Sequence, residues 1–261
     1  MNPFVYKKSS NYTDLNLIYS ECSGPGGLQL TEFMAAKMQL CSGARLLDIG
    51  IERGYQTCFL AKEYDVRVIG IDPDDDRSDG VPHIEHLQRN ALTWGVEGRV
   101  IGLKLGVPDT RFAGNTFDFA HSTTTLEMVR GLFGLDYYRK CLQEIYRILR
   151  PGGIFGLGEP MHREVPIPAD LLPVYTKGGG VGPEGWADCF ATVAETVDLC
   201  REAGFGVLEA DYAPNAWNWW KEFIENDPHC KADPEGEAKI IHQDGGRWLS
   251  YGYVIARKLL Q

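Results

Sequence analysis

The chain lacks any uninterrupted apolar run long enough to cross a bilayer, and its first ten residues hold no apolar stretch of the kind a secretory signal needs. These absences lead to the expectation of a cytoplasmic protein with no membrane partner. Ordered cysteine is missing too. The seven residues Cys22, Cys41, Cys58, Cys141, Cys189, Cys200 and Cys230 are odd in number and include no C-x-x-C pair. That argues against a disulfide framework and a zinc knuckle, and it predicts buried free thiols and no metal site. Basic clusters are absent as well. Lys7-Lys8 is a lone pair, and 26 Lys and Arg stand against 36 Asp and Glu, for a net charge of -10. Such a surface repels nucleic acid and anionic membrane, so neither is expected as a partner. No G-x-S-x-G elbow, phosphate-binding P-loop or H-E-x-x-H pair occurs, which sets aside three large classes of hydrolase.

What is present is ordinary globular material: 261 residues, 44% hydrophobic and 24% charged. The hydrophobic pattern changes period several times. Residues 1–42 carry apolar positions at helical spacing, broken by Ser23-Gly24-Pro25-Gly26-Gly27, with Thr31 a candidate cap for the second helix. From residue 44 strands and helices alternate. Strands are expected at 45–50, 66–72, 100–105, 117–122 and 154–157, and helices at 55–64, 84–94 and 137–149. Residues 161–190, with Gly178-Gly179-Gly180, read as an irregular insertion. A helix at 191–203 and strands at 206–209 and 248–257 follow. This alternation is the pattern of an α/β protein with a doubly wound, mostly parallel seven-stranded sheet and helices on both faces. One domain spans 1–261: an N-terminal helical cover over 1–42, a ligand-binding core over 43–160, and a lid insertion with C-terminal strands over 161–261.

The informative segment is Asp48-Ile49-Gly50-Ile51-Glu52-Arg53-Gly54, between a strand and a helix. Glycine at such a turn permits a left-handed backbone, and the helix that follows offers free N–H groups. A nicotinamide dinucleotide fold wants G-x-G-x-x-G here, and that spacing is not met. An acid at the head of the loop suits a ligand with an ammonium group. Twenty-four positions on, Asp72 ends the second strand, where a carboxylate can accept both hydroxyls of a ribose.

The loop resembles the first motif of the class I S-adenosylmethionine-dependent methyltransferases, acid-x-Gly-x-Gly-x-Gly. Asp48, Gly50 and Gly54 match it, and Glu52 stands where the middle glycine is usual. Asp72, the segment Gly114 to Ser122 and the turn Leu149-Arg150-Pro151-Gly152-Gly153 resemble later parts of the family in order and spacing. More narrowly, Gly24-Pro25-Gly26, Gly54-Tyr55-Gln56-Thr57 and Tyr251-Gly252-Tyr253 resemble small-molecule members, which implies an N-terminal segment folded over the cofactor. The resemblance implies S-adenosylmethionine as cofactor, S-adenosylhomocysteine as product and a small-molecule substrate. It implies a cofactor site built from Asp48, Gly50, Gly54, Gln56, Thr57, Asp72, Pro73, Val107, Pro108, His121 and Ser122.

Ligands of open α/β sheets sit beyond the carboxyl ends of the strands, where His121-Ser122 and Glu159 fall. His121 and Glu159 are the candidate catalytic residues. Histidine suits proton acceptance near neutral pH, and a carboxylate can hold or deprotonate a nucleophile. The alternatives are a packed histidine and a salt-bridged glutamate. Glu127 reads as an ordinary helix residue. Tyr212, Trp217, Trp219 and Trp220 with the acidic charge admit an amine acceptor, and the competing reading is a lid packed on the core. Two other functions fit the same site: a cofactor-binding protein without methyl transfer, and a non-methylating enzyme using the same cofactor.

Overall fold

The computed structural model describes residues 4–22, 24–178 and 181–260. Ser23 of the Gly-Pro-Gly breaker and Gly179-Gly180 of the triple glycine lie outside them. The strands are β1 (Arg45–Ile49), β2 (Arg67–Ile71), β3 (Val100–Leu103), β4 (Phe117–Thr123), β5 (Leu149–His162), β6 (Phe205–Tyr212) and β7 (Leu249–Lys258). They form one seven-stranded sheet in the order β3-β2-β1-β4-β5-β7-β6. The first five pair in parallel, and β7 runs antiparallel to both neighbours. The chain order reverses between β1 and β4, which opens a crevice at their carboxyl ends.

Alternation along the strands divides the core. Leu46, Val68, Phe119 and Ile154 face α2 (Gly27–Lys37), α3 (Tyr55–Tyr64) and α4 (His83–Trp94). Leu47, Ala120, Phe155 and Leu157 face α6 (Leu135–Ile148) and α9 (Val193–Glu202), with Leu126 of α5 (Leu126–Phe133). A third apolar cluster joins α7 (Leu172–Tyr175), α8 (Trp186–Cys189), α10 (Ala216–Asn226), α11 (Pro228–Ala232) and α12 (Glu237–Asp244) around Trp186, Trp220 and Trp248. With α1 (Leu15–Glu21) these complete the described helices of four residues or more.

Two expectations need correction. Thr31 does not cap α2. The helix starts at Gly27 because Gly26, at φ 94°, makes the left-handed entry, and the Thr31 hydroxyl donates back to Gly27 O at 3.0 Å from inside the helix. Strand β5 is also longer than expected, since antiparallel pairing with β7 carries it from Ile154 to His162. Helices α10 to α12 were not expected. Their signals lay in the sequence: apolar Ala216, Trp219, Trp220 and Ile224 recur at helical spacing, and Asp227-Pro228 caps the next helix through the Cys230 N–H at 2.8 Å.

Candidate functional site

The loop after β1 is built by packing. Gly50 and Gly54 adopt φ 74° and 75°. A Cβ on Gly50 would lie 2.1 Å from Thr125 Oγ1, and one on Gly54 2.3 Å from Leu87 Cδ1. Protein side chains therefore already fill the space that each glycine frees. Glu52 departs from the family pattern at φ 48°. Glycine adopts that conformation freely, whereas an L-residue gives up ~1 kcal/mol. The backbone at this position contributes to the site, since the Glu52 N–H donates to Asp72 Oδ2 at 2.9 Å.

Asp72 follows β2 and is buried. Its Oδ1 accepts from the Asp74 N–H at 3.0 Å and lies 3.1 Å from His83 Nδ1. Burial works to lower the His83 pKa, but the bond to Asp72 and the charges of Asp72, Glu52 and Asp76 win and raise it. Sequence reading missed His83, because only the start of α4 brings it back onto the strand end. Pro73 touches the next loop, as a Cβ on Gly106 would lie 3.2 Å from its Cγ. Val107 and Pro108, joined by a cis peptide bond, follow directly, with Val107 buried.

Asp76 closes this side. Burial pushes its carboxyl up, but donation from the Ser78 hydroxyl and N–H and the Arg53 guanidinium outweighs this and holds it well below the usual range. Arg53 Nε stands 2.7 Å away. Asp76, Asp79 and His86 have the donor types of a cation site. The Arg53 guanidinium on Asp76 already supplies the positive charge there.

Asp48 and His121 are register partners on neighbouring parallel strands, so both side chains stand on the sheet face that α2 and α3 cover. Asp48 Oδ1 lies 2.7 Å from His121 Nδ1, and Oδ2 accepts from the Thr57 hydroxyl at 2.6 Å. Both carboxylate oxygens thus have partners inside the protein. The contact with Asp48 uses Nδ1 and leaves Nε2 pointing away from that carboxylate. That nitrogen is buried and has no partner among the described residues. Ser122 Oγ donates to Ile49 O at 3.3 Å and ties β4 to the loop.

The N-terminal segment lies over this crevice. Gln56 Nε2 donates to Gly27 O at 3.2 Å and to Thr31 Oγ1 at 2.8 Å, so it holds the cover. Glu21 meets Arg53 Nη1 at 3.4 Å and Asn90 Nδ2 at 2.9 Å. A Cβ on Gly24 would fall 2.4 Å from Thr124 Cγ2.

Glu159 lies on the other sheet face, in alternation with Phe155 and Leu157. The Tyr138 hydroxyl donates to its Oε1 at 3.2 Å. Glu127, read from the sequence as a plain helix residue, is fully buried in the first turn of α5 and faces Glu159. Burial pushes both carboxyls up, and the Glu159 charge pushes Glu127 further. The aromatic residues considered for an amine are occupied with packing. Tyr212 donates to His162 O at 2.8 Å, Trp219 Nε1 to Gln29 Oε1 at 3.1 Å and Trp220 Nε1 to Ser250 O at 3.0 Å, while Trp217 joins the lid cluster.

With this geometry established, comparison with known proteins gives a consistent class. The methyltransferase domain family matches residues 47–157. The seven-stranded sheet and its helices share the fold of solved methyltransferases, and the segment 47–157 is similar to the methyltransferase domain family. Among curated relatives, the sterol 24-C-methyltransferase of Aspergillus fumigatus is 25% identical over 202 residues, 72% of this chain and 47% of that protein. Phosphoethanolamine N-methyltransferase 1 of Triticum aestivum is 28% identical over 134 residues, 49% of this chain and 23% of that protein. The chain thus matches less than half the length of these relatives. Among solved structures, Haemonchus contortus phosphoethanolamine N-methyltransferase 2 in complex with S-adenosyl-L-methionine superposes with a TM-score of 0.72 at 15% identity, covering 99% of this chain and 61% of that one.

Proposed function

We propose that the protein transfers a methyl group from S-adenosylmethionine to a small-molecule acceptor. The observation that carries this reading is Asp72: a buried carboxylate after β2, oriented by the N–H groups of Glu52 and Asp74, beside a glycine turn that opens a helix. Two hydroxyls of a ribose fit such a group, since a carboxylate with two oriented oxygens accepts both. The backbone of 50–54 and the start of α3 would take the methionine end, and Pro73, Val107 and Pro108 the adenine. Asp48 and Thr57 act here through His121, whose buried Nε2 has no partner among the described residues. Gln56 and Ser122 position the cover and the loop.

The cofactor supplies a sulfonium methyl that is already activated. The protein has to align an acceptor, exclude water and remove a proton where one must leave. The N-terminal cover and the lid serve the exclusion, and Glu159, near the carboxyl end of β5, is the group for the proton. An amine fits as acceptor because the site offers two buried acids, Glu127 and Glu159, and relatives named for phosphoethanolamine methylation support it. Seven cysteines without a disulfide support a reducing, cytoplasmic setting. Methyl-labelled cofactor incubated with a fractionated metabolite extract tests the reading. A labelled small-molecule product is expected. Tight cofactor binding with no labelled product from any fraction would overturn methyl transfer.

A further inference from the structure

Glu127 and Glu159 depart from ordinary burial rules. Two glutamates sit 2% and 1% exposed, side by side beneath the lid. Carboxylates are almost never buried without a cation against them. Arg130 contributes only a distant charge to Glu159 and forms no ion pair with it among the described residues. The described donors are few. Tyr138 serves Glu159 Oε1, while Glu127 Oε2 and Glu159 Oε2 are both buried with no hydrogen-bond donor. Two acceptors brought together in this way can bond only through a proton that one of them carries.

The surroundings decide which. Glu159 receives the Tyr138 hydroxyl and the Glu127 N–H, both of which favour its charged form. Tyr138 stays a donor, because burial and the Glu159 charge raise its own pKa well above normal. Glu127 gains from the backbone at the start of α5 but sits against the Glu159 charge, and it shifts further. The remaining titratable neighbours are Cys189 of α8, whose thiol donates to Glu127 O at 3.1 Å, Cys200 of α9 and Tyr251 of β7. Burial raises all three, so they stay neutral.

We propose that Glu127 and Glu159 work as one singly charged carboxyl pair, in which the Glu127 acid orients the Glu159 carboxylate and Glu159 takes the proton of a protonated amine acceptor. This inference rests on the methyl-transfer reading. The balance is simple. Glu159 removes a proton from the ammonium, and the freed nitrogen lone pair forms the N–CH3 bond while the C–S electrons stay on sulfur as a thioether. The proton on Glu159 leaves to solvent with the product. Glu127 is a positioning residue, and a single charge on the pair attracts a monocation without the cost of two adjacent anions.

Three measurements on the full chain separate the possibilities. Calorimetry with S-adenosylhomocysteine comes first: no binding by the parent would overturn the methyl-transfer reading itself. Carbon-13 NMR of glutamate carboxyls then reads the pair directly. One protonated carboxyl from this pair is expected near neutral pH, lost in Glu127→Gln, and two ionised carboxyls in the pair would overturn it whatever the cofactor does. Labelled-methyl transfer to a panel of primary and secondary amines reads the roles. Glu159→Gln should lose at least about a hundredfold in rate with product-cofactor binding retained. Glu127→Leu removes a donor from Glu159, so the rising limb of the rate–pH profile should move up by about one unit, and Glu127→Gln should bring it back. A merely structural role would lower the amount of folded enzyme without moving that midpoint. Full activity in Glu159→Gln, or cofactor binding with no amine methylated, would overturn the assignment.

Discussion

Asp76, after β2, and the Glu127–Glu159 pair, after β4 and on β5, are carboxyls withdrawn from water to nearly the same degree: 7% exposed against 2% and 1%. Their protonation moves in opposite directions. Asp76 is held below the ordinary aspartate value, and the pair is pushed above the ordinary glutamate value. Burial pushes both up, and donors and opposite charge decide whether it is outweighed. Asp76 has the Arg53 guanidinium and both donors of Ser78, whereas the pair has one tyrosine hydroxyl, the backbone of Thr125 and Glu127, and each other. On the proposed cofactor side Asp76 is thus held as a fixed anion. The proposed acceptor side is built to keep a proton in play.

The strongest way to break this contrast is to disturb the loop that orients the donor-rich side. Gly54→Ala places a Cβ 2.3 Å from Leu87 Cδ1 and 3.0 Å from Leu87 Cα, at φ 75°. A loss of about 3 kcal/mol in denaturant unfolding is expected, from strain and overpacking together. An unchanged midpoint would mean the turn is softer than its packing implies. Next, Asp72→Ala removes the proposed acceptor of both ribose hydroxyls and should weaken cofactor binding by about a hundredfold in calorimetry, the value of two charge-assisted hydrogen bonds. Binding as tight as the parent's would remove Asp72 from the cofactor site.

The two carboxyl environments also predict opposite pH slopes of stability. The folded-state pKa of Asp76 is lowered, so its contribution is present above the ordinary value of 3.8 and lost as pH falls toward the folded value. The folded-state values of the pair are raised, so their contribution is complete below the ordinary 4.5 and lost as pH rises through the folded values. Melting temperatures should therefore drop on both sides. Asp76→Asn should flatten the acid limb, and Glu127→Gln the alkaline one, by about 1–2 kcal/mol each. Reversed assignments would refute the donor argument. The smallest effect is expected at Thr57→Val. It removes the 2.6 Å bond to Asp48 and should cost about 1 kcal/mol, read in urea unfolding.

Much of the architecture was legible in the chain. The strands at 45–49, 67–71 and 117–123 and the helix at 55–64 lie where the change of apolar period puts them, since parallel strands buried on both faces read as short continuous apolar runs. The candidate site was legible in part. Asp48, Gly50, Gly54 and Asp72 stand out because a turn and a strand end leave local marks. His83 and Glu127 do not. Each is one polar residue near a helix start, and the sequence holds no sign that one will reach Asp72 and the other Glu159. Glu52 stood out for breaking a pattern, and its φ of 48° explains what the pattern is for.

Local sequence by itself determined the order of elements, the glycine turn and the acid that ends β2, because period, φ and a strand end are set within a few residues. Tertiary structure alone decided what each acid became. Asp48 turned inward to Thr57 and His121, Asp72 met His83, and Glu127 was brought from α5 onto Glu159 of β5. The reason is physical: a carboxyl's protonation depends on the donors and charges within a few ångströms, and those neighbours come from segments distant in the chain.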